Sequence, residues 1–156
     1  MKLNYLWSLA LTTALLSWAS NVNASINQAD LYGSWHCKTS LEENGVKIFV
    51  DMDANYIRNG KSNGFGFFVI RFPDGLEVKY SVTGSGVWQL KNGYLIETSE
   101  EIKVVNLSHP GLDKILDMES LFPQNVSESS KVLQLNKSFL KVKSETNGTV
   151  IGCKRS

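Results

Sequence analysis

Two cysteines in mirrored surroundings constrain this fold more than any other feature: Trp35-His36-Cys37 near the start of the chain and Cys153-Lys154-Arg155 at its end. In an antiparallel ladder that sets Cys37 opposite Cys153, two-residue steps in opposite chain directions bring Trp35 opposite Arg155. A bridge between them staples the first strand to the last. That is how a meandering sheet closes into a barrel and loses its free edges. Two buried free thiols are the other state open to the same residues. The pattern speaks to architecture and compartment, and it carries no chemistry of its own.

The first residues read as a secretory leader. Lys2 gives the positive end, Leu9 to Leu16 the apolar stretch, and Val22-Asn23-Ala24 a small-residue cleavage site, so cutting is expected after Ala24. The apolar run is interrupted by Thr12 and Thr13, ends at Ser17, and is shorter than the roughly 20 residues a membrane span requires. No Cys follows the site to take a lipid. The expectation is therefore a leader over residues 1–24, one domain over residues 25–156, no stable membrane anchor, and a periplasmic or secreted protein. Those are compartments in which disulfides persist.

Charge narrows the partners. The chain has 16 Lys and Arg, one of them Lys2 in the leader, against 15 Asp and Glu. A balanced surface exerts no long-range pull on phosphates or anionic lipid, so nucleic acid is not an expected partner.

Period-two patterning dominates the remainder. Strands are expected at Leu31–Leu41, Val46–Ala54, Phe65–Phe72, Glu77–Thr83, Val87–Leu90, Tyr94–Val105, Lys131–Asn136, Ser138–Lys143 and Thr149–Arg155. Asn44-Gly45, Asp74-Gly75 and Asn92-Gly93 supply hairpin turns. Asn59 to Gly64 reads as a longer, flexible loop. One helix is expected between Ser108 and Leu121, capped by Ser108 or His109 and with Pro110 in its first turn. Nine strands cannot close antiparallel, because the first and last would run the same way. Gly84-Ser85-Gly86 is the natural place for a bulge that merges two of them, which leaves eight or ten strands as the open choices.

Gly33-x-Trp35 in the first strand, the succession of hairpins, Arg155 on the last strand and the stretch Gly84 to Leu95 together resemble the lipocalin (calycin) superfamily, in particular small bacterial lipocalin-like domains. The resemblance implies a mainly β, antiparallel up-and-down barrel with one short helix. It also implies that Trp35 closes the bottom of the barrel and stacks on Arg155, and that a small apolar ligand is held inside. The helix stands ahead of the last three strands here, whereas the best-known members carry it beside the final one.

No catalytic or metal site is expected. His36 and His109 are the only histidines, and neither has a second ligand or base at useful spacing. His36 points away from the Trp35–Cys37 face, and capping accounts for His109. Asp51 and Asp53 share a strand face and read as solvated acids. No serine sits in a nucleophile turn, and Gly64-Phe65-Gly66 lacks the helix a phosphate loop needs. Asn106-Leu107-Ser108, Asn125-Val126-Ser127, Asn136-Lys137-Ser138 and Asn147-Gly148-Thr149 match the glycosylation acceptor pattern and read as chance. No cofactor is implied. The aromatic residues are the informative set: Phe65, Phe67, Tyr80 and Trp88 are the candidate ligand-binding residues, with core filling as the competing use. Two functions follow: a binding module for a small apolar or amphipathic ligand, or an exported inhibitor or immunity-type factor that meets a protein partner through its loops or an outer apolar face.

Overall fold

Tight turns fix the strand register in the computed structural model, which describes residues 26–114, 118 and 122–156. Asn44 and Gly45, and again Asn92 and Gly93, all take positive φ, as two-residue hairpins with matching strand twist require. Eight antiparallel strands follow one another: β1 (Gly33–Glu43), β2 (Val46–Tyr56), β3 (Lys61–Arg71), β4 (Glu77–Lys91), β5 (Tyr94–Asn106), β6 (Ser127–Leu135), β7 (Phe139–Ser144) and β8 (Val150–Arg155). Each pairs with its neighbour in sequence, and β1 pairs with β8, so the sheet is a closed up-and-down barrel. The expected leader lies outside the described residues.

The strand count resolves at eight because Glu77 to Lys91 is one continuous strand. Its register against β5 shifts between Ser85, which faces Glu101, and Gly86, which faces Ser99. The extra residue is thus Glu100 on β5, opposite the glycines and not among them. A Cβ on Gly86 would collide with the carbonyl oxygen of Thr98, so glycine is what lets the two strands approach here. The bulge also changes parity. Leu95, Glu97 and Ser99 face inward before it, and Ile102, Val104 and Asn106 after it.

The expected long loop at Asn59 to Gly64 is a tight turn instead. The amide of Gly60 donates to the carbonyl of Ile57, and that of Ile57 to Lys61, so pairing with β2 resumes at once (Tyr56 opposite Ser62). Within the expected helix at Ser108 to Leu121, Met118 is α-helical. The described start of that stretch is a 3-10 turn, Pro110–Lys114, and residues 115–117 and 119–121 lie outside the description. His109 stands at the start of that turn, its carbonyl accepting from the amide of Leu112 at 2.9 Å, and the Asn106 side-chain oxygen folds the residues before it by accepting from the amides of Ser108 and His109 at 3.2 and 2.8 Å. The Asn106 amide group donates to the Tyr80 hydroxyl, the His109 carbonyl and Asp113 Oδ1. Buried Asn106 thereby satisfies itself and ties the 3-10 turn to β4. A second 3-10 turn, Gln28–Asp30, precedes β1.

Strand length decides where the wall is complete. β1 to β5 run 11 to 15 residues, whereas β6 to β8 run only 6 to 9. The seam between β1 and β8 spans only Trp35 to Lys38, and β5 meets β6 only over Tyr94 to Thr98. One half of the barrel is therefore ringed by all eight strands, and the other half is walled mainly by β1 to β5. Described residues from between β5 and β6 lie against that second half. Leu112, Met118 and Phe122 pack there on Phe68, Ile70, Val78, Tyr80 and Val82. The ringed half holds its own cluster, with Leu31, Trp35, Tyr56, Trp88 and Leu95 at its centre.

Cys37 and Cys153 form the disulfide at the seam. Trp35 is fully buried, its indole N–H donating to the carbonyl of Leu31 at 2.7 Å. The Arg155 guanidinium lies 4.0 Å over its ring. That guanidinium also donates to the backbone carbonyls of Asp30, Tyr32 and Lys137. The pair therefore plugs the ringed end and binds the 3-10 turn and the β6–β7 turn to it.

Candidate functional site

Between the two clusters the barrel is not filled. A cavity of about 410 Å³ lies there, within the range of small-molecule sites. Small inward residues on three adjacent strands make the space: Ala54 on β2, Gly64 on β3, and Gly84 on β4. Met52, Val82, Ile102 and Phe122 give it an apolar wall, the last of these from just ahead of β6. Most of its exposed lining is carbon.

The opposite wall is polar and acidic. Glu97 on β5 and Glu128 on β6 are cross-strand partners, and both line the cavity. The Tyr56 hydroxyl donates to Glu97 Oε1 at 3.0 Å. Burial raises the Glu97 carboxyl above the usual glutamate range; the Tyr56 hydrogen bond opposes this, and the Glu128 charge adds to it. Burial, and then the neighbouring Glu97 charge, raise the Tyr56 phenol well above its ordinary value, so it stays a donor.

This carboxyl gives stability a pH dependence of known sign. The folded protein holds the Glu97 proton more tightly than the unfolded chain does. The resulting stabilisation is complete below the unfolded glutamate value of about 4.3 and is lost as pH rises through the raised folded value. Glu97→Gln keeps an acceptor for Tyr56 and cannot ionise. Wild type should therefore lose stability relative to Glu97→Gln as pH climbs from about 4 toward neutrality, with a flat difference below. Urea midpoints of both proteins across that range check this, and parallel profiles would refute it.

The four aromatic candidates do not line the cavity. Tyr80 and Trp88 do face inward, but each is buried in a core cluster, one on either side of the space. Trp88 is held by donating to the carbonyls of Ile57 and Lys61. Phe65 and Phe67 point outward, which corrects their expected place in the interior. Phe65 is 47% exposed and packs edge-on against Phe67, over which Lys79 Nζ sits at 4.7 Å. Phe49, 39% exposed, extends this outer strip beneath Arg71. The residues that do shape the cavity are glycines, a small alanine and a glutamate pair. Their only mark in the sequence is a run of inward positions too small to fill a barrel.

His36 lies outside, as its position in the strand predicts. It bridges Asp53 at 2.9 Å and Asp51 at 3.3 Å, and Lys38 also pairs with Asp51. The Lys38 hydrogen bond lowers the Asp51 carboxyl against an opposing loss of solvation, and the Lys38 charge adds to the lowering. All four side chains are open to solvent. Among the described residues no cluster of three or more His, Cys, Asp or Glu could hold a metal ion.

No protein-family profile matches the sequence, and no curated protein matches it. Among solved structures the chain is similar to a lipocalin-like protein from Bacteroides uniformis, with 21% identity over 81% of this chain and 99% of that one and a TM-score of 0.42.

Proposed function

We propose that this barrel is a binding module for a small amphipathic molecule, carried outside the cytoplasm. The observation behind it is the cavity of about 410 Å³ between two filled clusters, apolar on one side and polar on the other. A barrel that served only as a scaffold would gain by filling this space, since each unfilled methylene costs roughly 0.8 kcal/mol of burial.

The test is a titration with N-phenyl-1-naphthylamine, a neutral apolar probe whose emission rises on leaving water. Wild type should bind it at micromolar concentrations. Gly84→Leu should weaken binding at least tenfold, because a Cβ at Gly84 meets only ordinary contacts and the longer side chain projects into the cavity. Equal binding by both proteins would place the probe elsewhere and refute the reading. Export carries its own test: amino-terminal sequencing of protein from its host should begin at Ser25, and a terminus at Met1 would refute removal of a leader.

One observation favours a second reading, that of an interaction protein. The outer strip of Phe49, Phe65 and Phe67 exposes aromatic surface, a feature of surfaces that meet partners. Failure of every apolar probe to bind, with host proteins retained by the wild type and lost on Phe65→Ser, would favour it.

A further inference from the structure

We infer that the ligand is a cationic amphiphile, its tail against Met52, Val82, Ile102 and Phe122 and its ammonium group between Glu97 and Glu128. This rests on the binding reading above and specifies its ligand class. The charged residues on the described lining are both acidic, and no Lys, Arg or His stands among them. The two carboxylates are directly opposed across the β5–β6 pair, so each repels the other unless a proton or a cation lies between them. The groups facing Glu97 are Tyr56 from β2 and Glu128 from β6, and neither supplies positive charge.

A bound ammonium resolves an otherwise unfavourable arrangement. Its single positive charge halves the net charge of the pair and stands between the two, beside a Glu97 carboxylate set in a partly dry wall where charge interactions exceed their strength in water. An anionic head would meet two like charges, and a neutral alcohol would gain only a hydrogen bond. Placing the apolar wall on the β2–β4 side and the acids on the β5–β6 side makes the site discriminate by head group, with the tail common to all.

Displacement of bound N-phenyl-1-naphthylamine by decylamine, decanol and decanoate separates these chemistries, since the three share a chain length and differ in head charge. At pH 7.5 decylamine should displace the probe at concentrations at least tenfold below decanol, with decanoate the weakest. In Glu97→Gln/Glu128→Gln the advantage of decylamine over decanol should vanish while the probe still binds. Glu128→Gln alone, at an exposed position, should show a partial loss and guards against misfolding of the double variant. Equal displacement by decylamine and decanol in the wild type, with the probe bound and lost on Gly84→Leu, overturns the cationic assignment and leaves the binding reading standing. A wild type that binds neither probe nor decylamine overturns both.

Discussion

Trp35→Ala should destabilise the protein by about 3 to 5 kcal/mol, the range for truncating a large buried aromatic side chain. Trp35 is fully enclosed, and its removal opens a void at the ringed end that neighbouring Leu31 and Leu140 cannot fill without moving the turn ahead of β1 or strand β7. The indole N–H bond to Leu31 goes with it. Arg155→Ala should cost less, about 2 to 3 kcal/mol, chiefly because the carbonyls of Asp30, Tyr32 and Lys137 lose a charged donor. The two losses should not add. The contact of guanidinium over indole contributes roughly 0.5 to 2 kcal/mol and can be removed only once. Urea melts of both single variants and the double check this; strict additivity would mean the ring and the cation do not support each other.

The seam was legible because it is written in covalent chemistry and symmetric spacing. Cys37 faces Cys153 and Trp35 faces Arg155 in the ladder, as two-residue steps from the cysteines require. Two-residue hairpins were legible for a similar reason, since Asn-Gly leaves few other conformations. What escaped was register. Phe65, Phe67 and Val69 alternate with Phe68 and Ile70, and strand β3 alone does not reveal which set faces inward. Its neighbour does: Asp51 and Asp53 face solvent on β2, and they are paired with Phe67 and Phe65. Using that information required knowing the turn between the strands. Reading Asn59 to Gly64 as a long loop left the register undetermined, whereas the tight turn at Ile57 to Lys61 fixes it.

The cavity escaped for a different physical reason. Aromatic residues are conspicuous in a sequence, and in a small barrel they are what fills space; Tyr80 and Trp88 do so. Space is made by absent side chains, and Gly64 and Gly84 join the lining only once three strands are in register. The bulge at Glu100 adds to this, since it turns Glu97 and Ile102, five positions apart, onto the same inner face. No alternation rule applied along β5 would group them.

Removing the disulfide should be the other large loss. The bridge closes a loop of 116 residues, for which the chain-entropy account gives about 4 to 5 kcal/mol and practice often gives less. Cys37→Ala/Cys153→Ala should therefore cost roughly 2 to 5 kcal/mol in a urea melt. The effect should be local before it is global. Only four residue pairs join β1 to β8, against eleven that join β1 to β2, so the seam has little pairing of its own to fall back on. Hydrogen exchange should thus quicken first at Trp35 to Lys38 and Gly152 to Arg155, with β3 and β4 protected as before. The remaining hold on the seam is the Arg155 clamp. Adding Arg155→Ala to the bridge-free protein should lower its stability by more than the same change does in the bridged one, because the clamp and the bridge restrain the same two strand ends. An unchanged midpoint in the bridge-free protein, with seam amides as slow as those of β3, would show that the barrel closes without its staple.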